Sequence, residues 1–183
     1  MGKNKIKKKS EFMELVQTAI ISFIFVLILT TFFIKPVRVY GNSMYPTLHN
    51  KDTGFSSIIS ITIGGIDRFD IVVAEIPGTS EYLVKRVIAL PNEELCYEND
   101  KLYIDGQLIP EDFFDIDYLN SYEVRKAFTS NVSCMILGDD EYFLMGDNRP
   151  YSTDSRYYGT FSRKQIVSKG VFVLWPFSEF GVK

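Results

Sequence analysis

A chain of 183 residues that is 46% hydrophobic and 15% aromatic is long and apolar enough to bury a real core, so disorder is excluded as its default state. The net charge of -3 hides an asymmetry: Lys3, Lys5, Lys7, Lys8 and Lys9 crowd the first ten residues, while residues 36–183 hold 14 basic and 21 acidic groups. That balance argues against nucleic acid as a partner of the larger part of the chain.

Residues 15–34 contain no charge. A helix of that length, at ~1.5 Å per residue, spans roughly the 30 Å of a bilayer's hydrocarbon, so this stretch is predicted to be a transmembrane helix behind a lysine-rich tail, residues 1–14. A cleaved leader would have a shorter apolar region followed by small residues, whereas Lys35, Pro36, Val37 and Arg38 follow here. The lysine excess before the helix predicts a cytoplasmic N-terminus and an extracytoplasmic domain over residues 36–183.

Pro36 discourages the helix from continuing, and residues 37–40 have a strand-like pattern. They lead to G-N-S-M-Y-P-T-L, residues 41–48, where Gly41 permits a close backbone approach and Pro46 stiffens the turn after Ser43. The serine lies nine residues beyond Ile34. A fully extended link of that length covers at most ~30 Å, which keeps Ser43 near the bilayer surface.

Strands are predicted over residues 58–63, 69–76 and 82–90, where β-branched and apolar runs end at turn residues. Asp105-Gly106 predicts a tight turn between residues 94–104 and 107–109. A weak helical signal covers residues 120–128. Residues 93–140 read as a smaller lobe between two core strands, rich in acid from 93 to 123, where ten acidic residues face only Lys101. A charge run of this kind is usually a solvated face. Val171 to Leu174 reads as a core strand, followed by Trp175, Phe177 and Phe180, aromatics suited to a membrane interface.

Within residues 82–90, alternation sets Leu83, Lys85 and Val87 on one strand face. A lysine among apolar neighbours is either a snorkelling stem or a buried amine, and burial lowers its pKa towards that of a usable base. Holding the free amine at pH 7 would otherwise cost roughly 4.6 kcal/mol. Residues 146–159, G-D-N-R-P-Y-S-T-D-S-R-Y-Y-G, pack two carboxylates, two guanidiniums and two serines into one loop. These are the parts for bidentate pairs that fix a loop, with hydroxyls left to orient something.

Three tracts now stand in order: G-N-S-M-Y-P-T-L, Y-L-V-K-R-V-I-A-L-P and G-D-N-R-P-Y-S-T-D-S-R, with D-I-V-V at residues 70–73 between the first two. With the apolar anchor they resemble the bacterial type I signal peptidases, membrane-bound serine–lysine proteases that remove signal peptides from exported preproteins. The similarity spans most of residues 10–178 and is weakest in the acidic segment. It implies a mainly β fold of coiled antiparallel sheets behind one transmembrane helix. It also implies Ser43 as nucleophile, Lys85 as general base, Ser152 as a hydrogen-bond partner of the lysine amine, and Asp154 with Arg156 as a supporting ion pair. No cofactor or metal is implied, the backbone of Ser43 would serve the oxyanion, and the partners would be signal peptides and the lipid bilayer, with the enzyme monomeric. Tyr40, Gly41, Met44 and Leu83 are candidates for shallow pockets with an A-x-A preference. Departures are Ala89, Asn92 and Glu93 after the lysine, Phe69 where a glycine is common, and Gly41 where some members place a serine hydroxyl.

Other chemistries fail on residue supply. His49 is the only histidine and follows Ser43 by six residues, too close to complete a triad, so it is read as a loop residue. One histidine with Cys96 and Cys134 cannot furnish a zinc site, and those cysteines are either a disulfide or two buried thiols. The rival from another class is a non-catalytic membrane-anchored factor that binds signal peptides or pilin-like subunits; it would be expected to lack Ser43 or Lys85. A self-cleaving repressor-type protease would need a DNA-binding domain, which the chain does not have.

Overall fold

The computed structural model describes residues 2–114, 116–122 and 127–183. Helix α1 (Gly2–Phe32) contains one stretch, Glu11–Phe32, that is long and apolar enough to cross a membrane, with a mean hydropathy of 2.3 and nothing in the protein burying it. The helix ends two residues before the charge-free run does. Proline at position 36 has no N–H to give to the carbonyl of Phe32 and its ring would clash there, so the chain turns and Ile34 opens a strand instead.

That strand is β1 (Ile34–Arg38), followed by β2 (Thr53–Ser57), β3 (Ile71–Glu75), β4 (Tyr82–Ala89), β5 (Glu94–Glu98) and β6 (Lys101–Ile104). Then come β7 (Gln107–Ile109), β8 (Val132–Ile136), β9 (Glu141–Met145), β10 (Phe161–Ser162), β11 (Ile166–Trp175) and β12 (Gly181–Val182). The main sheet is antiparallel with the order β1-β2-β11-β3-β4-β9-β10, and β12 pairs with β11. A second antiparallel sheet, β7-β6-β5-β8, is inserted between β4 and β9 in the sequence, although those two strands pair directly. The fold is thus mainly β, as the sequence predicts.

Residues 58–63 are not a strand. They form α2 (Ile59–Gly64), whose first turn is held by Ser57, its hydroxyl accepting from Ser60 N at 3.1 Å and from Ser60 Oγ at 2.7 Å. Only Ile61 of this helix is buried, and Gly65 closes it at φ 70° with its N–H on Ile61 O. The five β-branched residues of this stretch pair with no strand among the described residues, so the local serine bonds decide. The weak helical signal at 120–128 falls partly on α3 (Ile116–Ser121), and residues 123–126 lie outside the described residues. A short α4 (Ser155–Tyr158) follows β9.

The two sheets share a core. Ile88, Phe143 and Met145 from the main sheet pack with Leu95, Tyr97 and Leu102 from the inserted one. A disulfide between Cys96 and Cys134 ties β5 to β8, so the alternative of two thiols is set aside. Closing a loop of 38 residues in the unfolded chain contributes about 4 kcal/mol on the chain-entropy account. The Asp105-Gly106 turn forms as predicted, and Asn99-Asp100 makes a second, unanticipated hairpin between β5 and β6.

Candidate active site

Strand register sets the stage. β4 pairs with β9 as Arg86↔Met145 and Val87↔Leu144, so the next position along puts Lys85 beside Gly146, where the polar loop begins. On the other side Lys85 faces Val72 of β3. Its own face of the strand includes Val87, which packs with Val72, Ala74, Leu144 and Phe161. The lysine is consequently buried, with 3% exposure.

Ser43 reaches this spot from the loop between β1 and β2. Met44 and Leu48 anchor the loop by sinking into a core with Val39, Ile71, Val171 and Val173. The polar loop then grips it from the opposite side: Asn148 N donates to Ser43 O at 3.0 Å, Asn148 Nδ2 to Asn42 O at 2.9 Å, and Thr47 Oγ1 to Asp147 Oδ2 at 2.5 Å. The outcome is a hydrogen bond of 2.6 Å from Lys85 Nζ to Ser43 Oγ. Two residues 42 positions apart in sequence are in direct contact.

Burial lowers the Lys85 pKa from its ordinary value of 10.5 to about 8, against Asp154 and Asp147, which favour the ammonium; Arg156 works with burial. The net effect favours the free amine by about 3 kcal/mol relative to an exposed lysine. Asp154 and Arg156 form a bidentate pair, with both N–O distances at 2.8 Å, and Asp154 Oδ2 also accepts the Gly146 N–H at 3.0 Å. Burial alone would raise the Asp154 pKa, but the guanidinium pairing outweighs it and holds the carboxyl below its usual value. Ser152 differs from the expectation. Its enclosed hydroxyl makes no hydrogen bond to the lysine amine, which is satisfied by Ser43 instead, and it stands where it helps to hold the Asp154 carboxyl low. It sits against Gly146, whose Cα leaves no room: a Cβ there would stand 2.2 Å from Ser152 Oγ and 2.3 Å from Ser43 O.

Only one of the loop's ion pairs is internal. Asp147 pairs with Arg86 of β4 at 2.8 and 2.6 Å, and Arg149 pairs with Glu111 beyond β7. Sequence reasoning missed Arg86, Asn148 and Glu111; alternation did place Arg86 opposite to Lys85, but nothing local named its partner. Arg86 also donates to Phe69 O at 2.8 Å. Phe69 holds a φ of 72° and Asn92 one of 67°, the left-handed conformation that explains why a glycine suits the first of these positions.

A groove of about 300 Å³ opens over the serine and lysine, walled by Tyr40, Gly41, Met44, Leu83, Tyr151 and Thr153 among others. All four candidate pocket residues therefore border it. Because β9 pairs with β4 only from Arg86 onward, the edge of residues 82–85 away from β3 has no strand beside it among the described residues. His49 lies apart, edge-on to Tyr45 at 5.2 Å and with Nδ1 3.4 Å from Glu179.

A family model described as "Signal peptidase, peptidase S26" matches residues 12–175. The chain belongs to this peptidase family. Signal peptidase I S of Bacillus subtilis (strain 168) is 36% identical over 186 residues, covering 98% of this chain and 97% of that relative. Signal peptidase IB of Staphylococcus aureus is 32% identical over 180 residues, with 94% of both chains covered. Among solved structures, a signal peptidase I from Enterococcus faecalis V583 aligns with a TM-score of 0.53 at 29% identity, over 57% of this chain and 95% of that one. The signal peptidase match runs from within α1 to the end of β11 and so takes in Ser43, Lys85 and the whole polar loop.

Proposed function

We propose that the chain removes N-terminal signal peptides from exported preproteins, with Ser43 as nucleophile and neutral Lys85 as general base. The observation behind this reading is the 2.6 Å contact between a buried lysine amine and a serine hydroxyl at the floor of an open groove. A lysine kept dry can be free of its proton near neutral pH, and a base within hydrogen-bond reach is the requirement for activating a serine.

The steps balance simply. Lys85 Nζ takes the Ser43 hydroxyl proton as Oγ bonds to the scissile carbonyl carbon, and the negative charge passes to the carbonyl oxygen. The Ser43 N–H is available to that oxyanion, while Gly41 offers no hydroxyl to help, so backbone donors must suffice. The Lys85 ammonium then protonates the leaving amine as the C–N bond breaks. Water, giving its proton to Lys85, hydrolyses the Ser43 ester and frees the signal peptide. The enclosed Ser152 hydroxyl beside this site keeps lone pairs with which to accept from the ammonium once Ser43 has turned to the substrate.

Substrate would lie extended along the open edge of residues 82–85, main-chain bonds holding it and alternate side chains entering the groove. Walls of Met44, Leu83 and Tyr40 favour alanine one and three residues before the cut. The apolar helix would anchor the enzyme with its lysine-rich end in the cytoplasm and the β domain outside, and exposed Trp175, Phe177 and Phe180 suit the headgroup layer. The direct test is cleavage of a preprotein by the purified full-length protein in detergent. Ser43→Ala and Lys85→Ala are each expected to abolish turnover while leaving thermal unfolding unchanged, and the double variant to be no worse than either. Turnover by either single variant would sink the serine–lysine assignment. Orientation is checked separately: protease added to sealed cells should cut the β domain and spare the N-terminal tail, and the reverse pattern would refute it.

A further inference from the structure

Arg149 is the more enclosed of the polar loop's two cations, its side chain wholly shielded from solvent. Its Nε donates to Gly146 O at 3.1 Å; its Nη1 donates to Tyr97 OH at 2.9 Å, to Thr129 Oγ1 at 3.1 Å and to Glu111 Oε2 at 3.3 Å; its Nη2 pairs with Glu111 Oε1. Tyr97 in turn donates to Glu111 Oε1 at 2.7 Å. Apart from Gly146, every one of these partners comes from the segment inserted between β4 and β9. Glu111 is the only carboxylate among them, so the buried cation takes its one directly paired countercharge from the inserted segment, with Asp147 acting on it less directly.

The link continues to the chemistry. Arg149 O accepts from Arg156 Nη2 at 2.7 Å, Arg156 pairs with Asp154, and Asp154 holds the Gly146 N–H. The Gly146 residue is thus held at its carbonyl by Arg149 and at its N–H by Asp154, and its Cα is packed against Ser43 O and Ser152. We propose that Glu111 is a positioning residue for the Ser43–Lys85 pair, acting through Arg149, and that this is one role of the acidic inserted lobe. The inference rests on the serine–lysine reading above. A bidentate carboxylate is required because an amide in its place would turn an N–H₂ towards the guanidinium and leave the buried charge without compensation. The loop would then shift to expose Arg149 to water, and Gly146 and Ser43 would move with it.

Glu111→Gln, Glu111→Asp and Tyr97→Phe in the full-length protein test this by preprotein cleavage, with kcat, KM and the pH dependence of kcat/KM measured alongside thermal unfolding. Glu111→Gln is expected to lower kcat at least tenfold with KM within about threefold, because most of the groove wall, residues 38–41 and 82–85, stands off the loop that shifts. The alkaline-going rise in kcat/KM should also move to higher pH as the loosened loop lets water reach Lys85. Glu111→Asp, which keeps the charge, should restore part of kcat, and Tyr97→Phe, which removes one hydroxyl and keeps the ring in the core, should lower it about threefold. A kcat within twofold of the parent for Glu111→Gln, or losses that only track the unfolded fraction with the pH rise unmoved, would overturn the proposal. Should Glu111→Gln fail to fold, an unchanged kcat for Tyr97→Phe would overturn it equally. If instead Ser43→Ala and Lys85→Ala remain active in the same assay, the serine–lysine reading itself fails and this inference with it.

Discussion

Gly146→Ala adds a single methyl group at the tightest point of the site. The new Cβ would lie 2.2 Å from Ser152 Oγ, 2.3 Å from the backbone oxygen of Ser43 and 2.7 Å from Ser152 Cβ. Ordinary contact between such atoms lies near 3.5 Å, so the loop and the serine must part by roughly 1 Å. Ser43 O is tethered to Asn148 N, and Lys85 is fixed in the sheet between Val72 and the start of the loop, so the displacement falls on the 2.6 Å bond between Lys85 and Ser43. A misplacement of ~1 Å between reacting groups costs about 100-fold, and overpacking costs about 1 to 3 kcal/mol of stability. The backbone at Gly146 is not left-handed, so the effect is steric rather than conformational. The assay is kcat/KM for preprotein cleavage by the purified variant, with thermal unfolding measured on the same preparation. A folded variant with the parent's melting midpoint and turnover would refute the argument, since the loop could not then be packed against the serine as described.

The rate should also follow the ionisation of Lys85. Its amine loses the proton as pH rises through about 8, so kcat/KM should climb about fivefold from pH 7 to 8 and level off above about pH 9. A flat or falling profile over that range would count against a lysine base. Leucine in place of alanine directly before the cut would have to overpack the groove walls at roughly 1 to 3 kcal/mol, so cleavage should slow at least tenfold. A change two residues before the cut, pointing away from the groove, should matter little, and equal rates for alanine and leucine would exclude a shallow pocket.

Local chemistry made much of this legible. The charge-free run and Pro36 set the anchor and its end; the Asp105-Gly106 pair set a hairpin; alternation in β4 set Lys85 among apolar neighbours. Where local signals were evenly matched the reading failed, as at residues 58–63, whose β-branched run is a helix because Ser57 and Ser60 bond to each other and no described strand pairs with it. The partners of the polar loop were illegible for a different reason. Asp147, Arg149 and Asn148 are paired with Arg86, Glu111 and Ser43, residues 61, 38 and 105 positions away, and no spacing rule ranks one distant charge above another. The inventory of a candidate nucleophile, a lysine among apolar neighbours and a charged loop was therefore written in the sequence. Tertiary structure alone decided that β4 and β9 pair across an inserted sheet, placing Gly146 beside Lys85, and that the lysine turns to Ser43 rather than to Ser152. Register between strands far apart in sequence depends on the shared core, and hydrogen-bond partners are chosen only once that core has brought the backbone into place.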